Sequence, residues 1–183
     1  NHEDVRILPT LMIEDAVGEI HTDNRSGIMI GGNMVSWYGG FDSFVVARQI
    51  GDPIVAPSMG RKQDFEDSIE EINYLPYMSW RDWIKTLGEY NIGIHLMRTH
   101  AAGTFAMNCG FHGIPCVGYK GLDTQEILHP LTTVDVSDLD EAKRIAYKLK
   151  NDEKFYNLCS ETINKRFNEF YTEKKWLSQW SIR

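Results

Sequence analysis

The stretch that most constrains the fold runs from Ile92 to Gly121. It opens with a short apolar run, residues 92–96, which reads as a buried strand of a parallel sheet. A polar turn follows, Arg98-Thr99-His100, and then Ala101, Ala102 and Gly103, small enough to let a ligand approach the backbone. Residues 104–112 carry a helical pattern that is apolar nearly all round, and such a helix must be buried. Gly110 within it costs roughly 1 kcal/mol relative to alanine, so it marks tight packing against a neighbour. Gly113 ends the helix, Pro115 blocks its continuation, and residues 116–118 supply the next strand.

A helix that starts just past a strand presents unpaired N–H groups and the positive end of its dipole to the ligand side of the sheet, where phosphate is favoured. Thr104 falls in its first turn. Asn108 follows at i+4 on the same face, with its Cβ tilted toward that end. Asn108 either reaches toward the same ligand or is a core asparagine bonded to a neighbouring carbonyl.

The rest of the chain repeats the alternation. Strands are expected at 28–30, 54–56, 72–75 and 131–134, with helices at 41–50, 79–89, 138–150, 152–170 and 172–180. Ser79 reads as an N-cap, and Ser137 or Asp138 as another. Trp80 and Trp83 share a helical stripe with Ile84 and Leu87 and read as core. The acidic run 64–71 reads as an exposed helix. The first strand runs into Gly31, Gly32 and Asn33, and the second into a loop with Arg61 and Lys62, which read either as possible phosphate cations or as a solvated surface pair. Tyr77 and Met78 follow the third strand. Six strands separated by helices imply a three-layer, doubly wound, Rossmann-like α/β domain with a mainly parallel sheet in the order 3-2-1-4-5-6. That order sets the first and fourth strands side by side, and brings the loops 31–40 and 98–103 to one crevice.

At 183 residues, 42% hydrophobic and 25% charged, the chain has the size and composition of one soluble globular domain. A net charge of −7 argues against a broad nucleic-acid surface. Cys109, Cys116 and Cys159 lack metal-ligand spacing and read as free thiols in a reducing compartment. No apolar run approaches the ~20 residues of a membrane span. The start at Asn1, without methionine, suggests a fragment. Asp138-Leu139-Asp140 forms a D-x-D triplet, but at a helix N-terminus aspartates serve as caps, and no metal is assigned to it.

The run from His95 to Ile127, with G-I-P-C-V after a small-residue helix and then G-L-D-T-Q-E-I, resembles the C-terminal, donor-binding half of GT-B glycosyltransferases, closest in layout to family 4. In that family the stretch reads E-G-F-G-x-x-x-x-E-A-M-A-x-G-x-P-V. Alignment on Gly113 and Pro115 sets His100 and Asn108 where the two glutamates of the E-x7-E pair stand. Gly103 keeps the phosphate-loop glycine, and Glu126 matches the acidic residue of the downstream turn. The family's arginine after the first strand is replaced near Asn33, and no basic residue follows before Arg48.

The resemblance implies a leading interdomain connection over 1–26, a nucleotide-sugar-binding domain over 27–170, and a C-terminal helix over 171–183 whose Trp176 and Trp180 fit docking on an N-terminal half. It implies a glycosyltransferase of hexosyl type acting on a nucleotide-sugar without an obligatory metal. The donor contacts would be Gly31, Gly32, Asn33, Tyr77, Met78, Gly103, Thr104, Asn108 and Glu126. His100 and Arg98 would stand at the catalytic end, with Arg98 as phosphate cation. The sugar acceptor would come through the N-terminal half, which also leaves room for peripheral membrane association, and the location would be cytoplasmic. A noncatalytic nucleotide-sugar-binding module and a nucleotide-sugar 2-epimerase are the alternatives.

Overall fold

The computed structural model describes residues 10–18, 24–57, 63–100 and 103–180. Strands β1 (Ile28–Ile30), β2 (Ile54–Ala56), β3 (Ile72–Tyr74), β4 (Ile92–His95), β5 (Cys116–Tyr119) and β6 (Thr133–Val134) form one sheet in the order β3-β2-β1-β4-β5-β6. Every pairing is parallel, with Ile28 of β1 opposite Ile54 on one side and Ile92 on the other. The expected strand order and three-layer α/β class are what the structure has. Strands β1, β2, β4 and β5 are buried at each position, so both faces of the sheet must be covered.

The cover is divided by the strand alternation. Ile28, Ile30, Ile94 and Val117 pack with α1 (Gly40–Arg48) and α5 (Leu139–Asn151), through Phe44, Val46, Ala142, Ile145 and Leu149. Met29, Val55 and Cys116 turn to the other face and meet α2 (Trp80–Leu87) and α3 (Thr104–Phe111), through Leu87, Phe105 and Cys109. Outside α3 lie α4 (Asp123–Leu128) and α6 (Glu153–Phe170), with α7 (Glu173–Trp180) beyond them. A Cβ built on Gly110 would sit 2.7 Å from Leu128 Cδ1, so the glycine does mark tight packing, between α3 and α4.

Caps form where short polar side chains precede apolar periodicity. Ser79 Oγ accepts from Asp82 N at 3.2 Å, Asp138 from Glu141 N at 3.0 Å, and Asp152 from Phe155 N at 3.0 Å. Arg25 donates to the carbonyls of Gly88, at 3.1 Å, and His112, at 2.7 Å, satisfying the C-terminal ends of α2 and α3 with one guanidinium.

Several expectations need correction. Residues 123–128 form the short helix α4 rather than a turn. The acidic run forms only a 3-10 turn, Asp64–Ser68, and Glu66 in it is buried, not exposed. Its carboxylate accepts from Gln63 N at 2.9 Å, Met34 N at 3.3 Å and Tyr74 Oη at 3.1 Å, three bonds that offset the cost of burying it. Trp80 is 43% exposed, because α2 is covered only on the side of Ile84 and Leu87; Trp83 is half-buried. Residues of the leading segment dock on this domain: Met12 and Val17 are buried with Ile84, Met107, Leu128 and Phe167. The Glu14 carboxylate accepts from Glu173 N at 2.7 Å, at the opening of α7. Trp176 is half-buried rather than exposed, and the Trp180 side chain lies outside the described residues. All three cysteines are free and buried.

Candidate functional site

Because β1 and β4 are neighbours, the loops leaving their carboxyl ends diverge to opposite faces and leave a crevice between them. The β1 loop, residues 31–39, is bound to the end of β4 throughout. Gly31 N donates to Ile94 O at 2.8 Å, and Ser43 Oγ accepts from Leu96 N at 2.9 Å while donating to Gly39 O at 2.8 Å. Gly39 has φ 65°, and a Cβ there would run into the Leu96 carbonyl, so only glycine lets the loop lie this close. Glu66, bonded to Met34 N, braces the same loop from the β2 side.

The two loops are also tied across the crevice. Thr99 Oγ1 donates to Trp37 O at 2.8 Å. Arg98 donates to Asp42 Oδ2 from Nη2 at 2.7 Å and from Nε at 3.2 Å, and Tyr119 Oη donates to the same oxygen at 3.2 Å. Burial first, and then the Asp42 charge, push the Tyr119 hydroxyl up to about 12, so it remains a donor. The cleft above them, about 510 Å³, is lined by Met34, Ser36, Trp37, Phe41, Asp42 and Arg98. Trp37 and Phe41 are more than half exposed at its rim.

On the β4 side of the crevice stands the start of α3, with the His95 ring between its Phe105 and the Gly31-Gly32 turn. Its first intrahelical bond is Met107 N to Gly103 O at 3.2 Å, so the N–H groups of Thr104, Phe105 and Ala106 precede it, and among the described residues no N-cap side chain bonds to them. The first turn carries no acidic residue, and Thr104 is exposed.

The sequence-derived residues are not all gathered here. Gly31, Gly32, Asn33, Arg98, Gly103 and Thr104 stand on the two crevice loops, with Gly31, Gly32, Asn33 and Gly103 buried. Gly103 is small for a neighbour's sake: a Cβ there would strike Thr124 Oγ1, which donates to Gly103 O at 2.9 Å. Asn108 is 5% exposed and turned toward α2. With its amide set to satisfy both ends, it accepts from Trp83 Nε1 at 3.1 Å and donates to Thr104 O at 3.2 Å, which is the core arrangement. His100 is exposed, and its Nδ1 stands 2.7 Å from Gly121 O; a carbonyl only accepts, so Nδ1 carries the proton and Nε2 the lone pair in the neutral ring. Glu126 accepts from Gly121 N at 2.7 Å, so His100 and Glu126 hold one turn from its two sides. Tyr77 is 82% exposed and Met78 half-buried, both on the loop between β3 and α2. Arg61 and Lys62 lie outside the described residues.

Sequence reasoning missed His95, the last residue of β4, where the only signal was a polar side chain in the otherwise apolar run 92–97. It is 7% exposed, and neither ring nitrogen has a hydrogen-bond partner among the described residues. Burial lowers its pKa from 6.5 to about 4, so the ring is neutral at pH 7. The ring lies edge-on to Phe105 of α3, 5.2 Å between centroids, and against the Gly31-Gly32 turn.

No protein-family model and no curated protein sequence matches the chain. Solved structures do match in shape. A sucrose-phosphate synthase (tll1590) from Thermosynechococcus elongatus superposes with a TM-score of 0.71 at 11% identity, over 93% of this chain and 47% of that one. AviGT4, a glycosyltransferase involved in avilamycin A biosynthesis, gives 0.73 at 12% identity, over 97% and 57%. Alr3699/HepE of Anabaena, in complex with UDP and glucose, gives 0.70 at 11% identity, over 87% and 48%. The chain thus spans about half the length of the structures it matches. Its six-stranded parallel sheet, strand order and helical layers are those of one Rossmann-like half of the GT-B glycosyltransferase architecture.

Proposed function

We propose that the chain is the donor-binding half of a glycosyltransferase that uses a nucleotide-sugar. The observation that carries this reading is the crevice at the switch point, where the start of α3, uncapped among the described residues, and a glycine-rich loop flank the His95 ring. Shape supports it from outside: Alr3699/HepE, similar in fold, is described in complex with UDP and glucose. The leaving diphosphate would lie against the N–H groups of Thr104 to Ala106, where fixed dipoles favour the charge that develops as the glycosidic bond breaks. Arg98 would leave Asp42 and pair with a phosphate oxygen, an exchange of one anion for another. His100, its tautomer set by Gly121, would offer Nε2 as an acceptor toward the sugar. Asn108, occupied by Trp83 and Thr104, is left out of the donor contacts. The acceptor would enter through a second domain, which the half-length coverage of the matched structures motivates.

Asp42 favours one competing reading. With Arg98 already neutralised and no glutamate at either position of the family pair, a binding module without transfer is the second choice. Isothermal calorimetry with UDP, GDP, ADP and dTDP checks the shared part: one of them should bind the folded chain, and no heat with any would remove both readings. Sugar transfer or donor hydrolysis by the complete protein separates the two.

A further inference from the structure

We propose that His95 is a ligand-contacting residue of this crevice, taking a hydroxyl group of the bound donor between its neutral imidazole and the Gly31-Gly32 turn. The inference rests on the donor-site reading and names a group that the reading does not use.

His95 ends β4, one of the two strands at the switch point, and its ring lies between elements of both loops: Phe105 in the first turn of α3, and Gly31 and Gly32 after β1. A Cβ built on Gly31 would come within 2.7 Å of His95 Cγ, and one on Gly32 within 3.4 Å of Nε2. The turn against the ring therefore carries no side chain, and its glycines make room for the imidazole.

A histidine kept only for packing would bond at least one nitrogen, as His129 and His112 do. His95 bonds neither among the described residues. A neutral imidazole has one N–H donor and one lone-pair nitrogen on opposite edges of the ring, so a single ligand group meets one of them. A diphosphate could meet only the N–H, whereas a hydroxyl can accept from the N–H or donate to the lone pair, whichever nitrogen is turned to it. The hydroxyl belongs to the transferred sugar or to the ribose, and the two are separable by experiment. Both nitrogens are covered by protein atoms, so contact requires the Gly31-Gly32 turn to move off the ring when the donor enters.

The test compares the 183-residue chain with its His95→Phe and His95→Gln variants, using UDP-glucose, GDP-mannose, ADP-glucose and dTDP-glucose beside the matching nucleoside diphosphates. For whichever pair binds, His95→Phe should weaken the nucleotide-sugar about tenfold, and His95→Gln should recover part of that loss. Loss confined to the nucleotide-sugar identifies a sugar hydroxyl, and equal loss for the diphosphate identifies the ribose. A second measurement needs no variant: in long-range 1H–15N spectra a His95 nitrogen should shift on saturation with the ligand, while those of His129 stay. Unchanged affinity in a folded His95→Phe chain, together with unmoved His95 nitrogens, would overturn the inference and leave the donor site standing. Absence of binding by the parent chain would overturn both.

Discussion

His129, where α4 runs out, and His95, where β4 ends, are almost equally hidden from water, yet their surroundings are opposite in kind. His129 Nδ1 accepts from Cys116 N at 3.3 Å and Nε2 donates to Ala106 O at 2.8 Å. Around it, Thr132 and Gln125 both donate to Cys116 O, at 2.6 and 2.9 Å. Each polar group there is used to fasten α3, α4 and β5 together. At His95 the same side chain is buried without such bonds. A satisfied buried network specifies packing, whereas an unsatisfied one costs stability and is retained where something else needs it. The comparison separates the interior of the domain from the carboxyl end of its central strands more clearly than burial does.

The largest effect that tests this comparison is acid sensitivity. Burial holds His95, His112 and His129 each at about 4, against 6.5 in the unfolded chain. The unfolded state therefore binds more protons between these values. Stability from each neutral histidine is fully present above about pH 6.5 and is lost as pH falls toward 4, at about 1.4 kcal/mol per pH unit. Urea denaturation at pH 7, 6 and 5 should show a steep fall in this interval. Removing one histidine should flatten the slope by about one proton, and a flat profile would contradict the neutral, buried state of all three.

Substitution of His129 is the next largest. His129→Leu should cost about 1 to 3 kcal/mol, since it leaves the Cys116 N–H buried and unpaired and removes a second bond from the Ala106 carbonyl. His95→Leu strands no such partner and should fall within about 1 kcal/mol of the parent at pH 7. Equal losses in denaturant midpoints would erase the distinction between the two regions.

The smallest effect lies at the exposed pair over the crevice. Asp42→Asn should change stability by less than about 1 kcal/mol, because Arg98 is 45% exposed and its ion pair is screened by water. On the donor-site reading it should also tighten nucleoside diphosphate binding, since Arg98 no longer has a carboxylate to leave. Weaker binding in this variant would mean that Asp42 positions the arginine instead of competing for it.

The architecture was legible in the chain because it depends on local periodicity and chain order. Apolar runs such as 92–96 and 116–118, bounded by glycine or proline, read as central parallel strands, Gly113 and Pro115 mark the end of a helix, and Ser79 and Asp138 cap the helices that follow them. Right-handed crossovers then leave few strand orders to choose from. The site was legible only as two loops meeting at a crevice.

What each side chain does there was decided in three dimensions, by neighbours far away in sequence. Arg98 is claimed by Asp42, 56 residues earlier, and the space beside Gly103 is claimed by Thr124, 21 residues later. Asn108 meets the Trp83 indole, and Glu66, in a run that reads as solvated, becomes a buried brace of the β1 loop. A residue's type and spacing state which bonds it is able to make. Whether those bonds are made inside the protein depends on which elements the fold brings within about 3 Å of it, as His129, bonded at both nitrogens, and His95, bonded at neither, differ in doing.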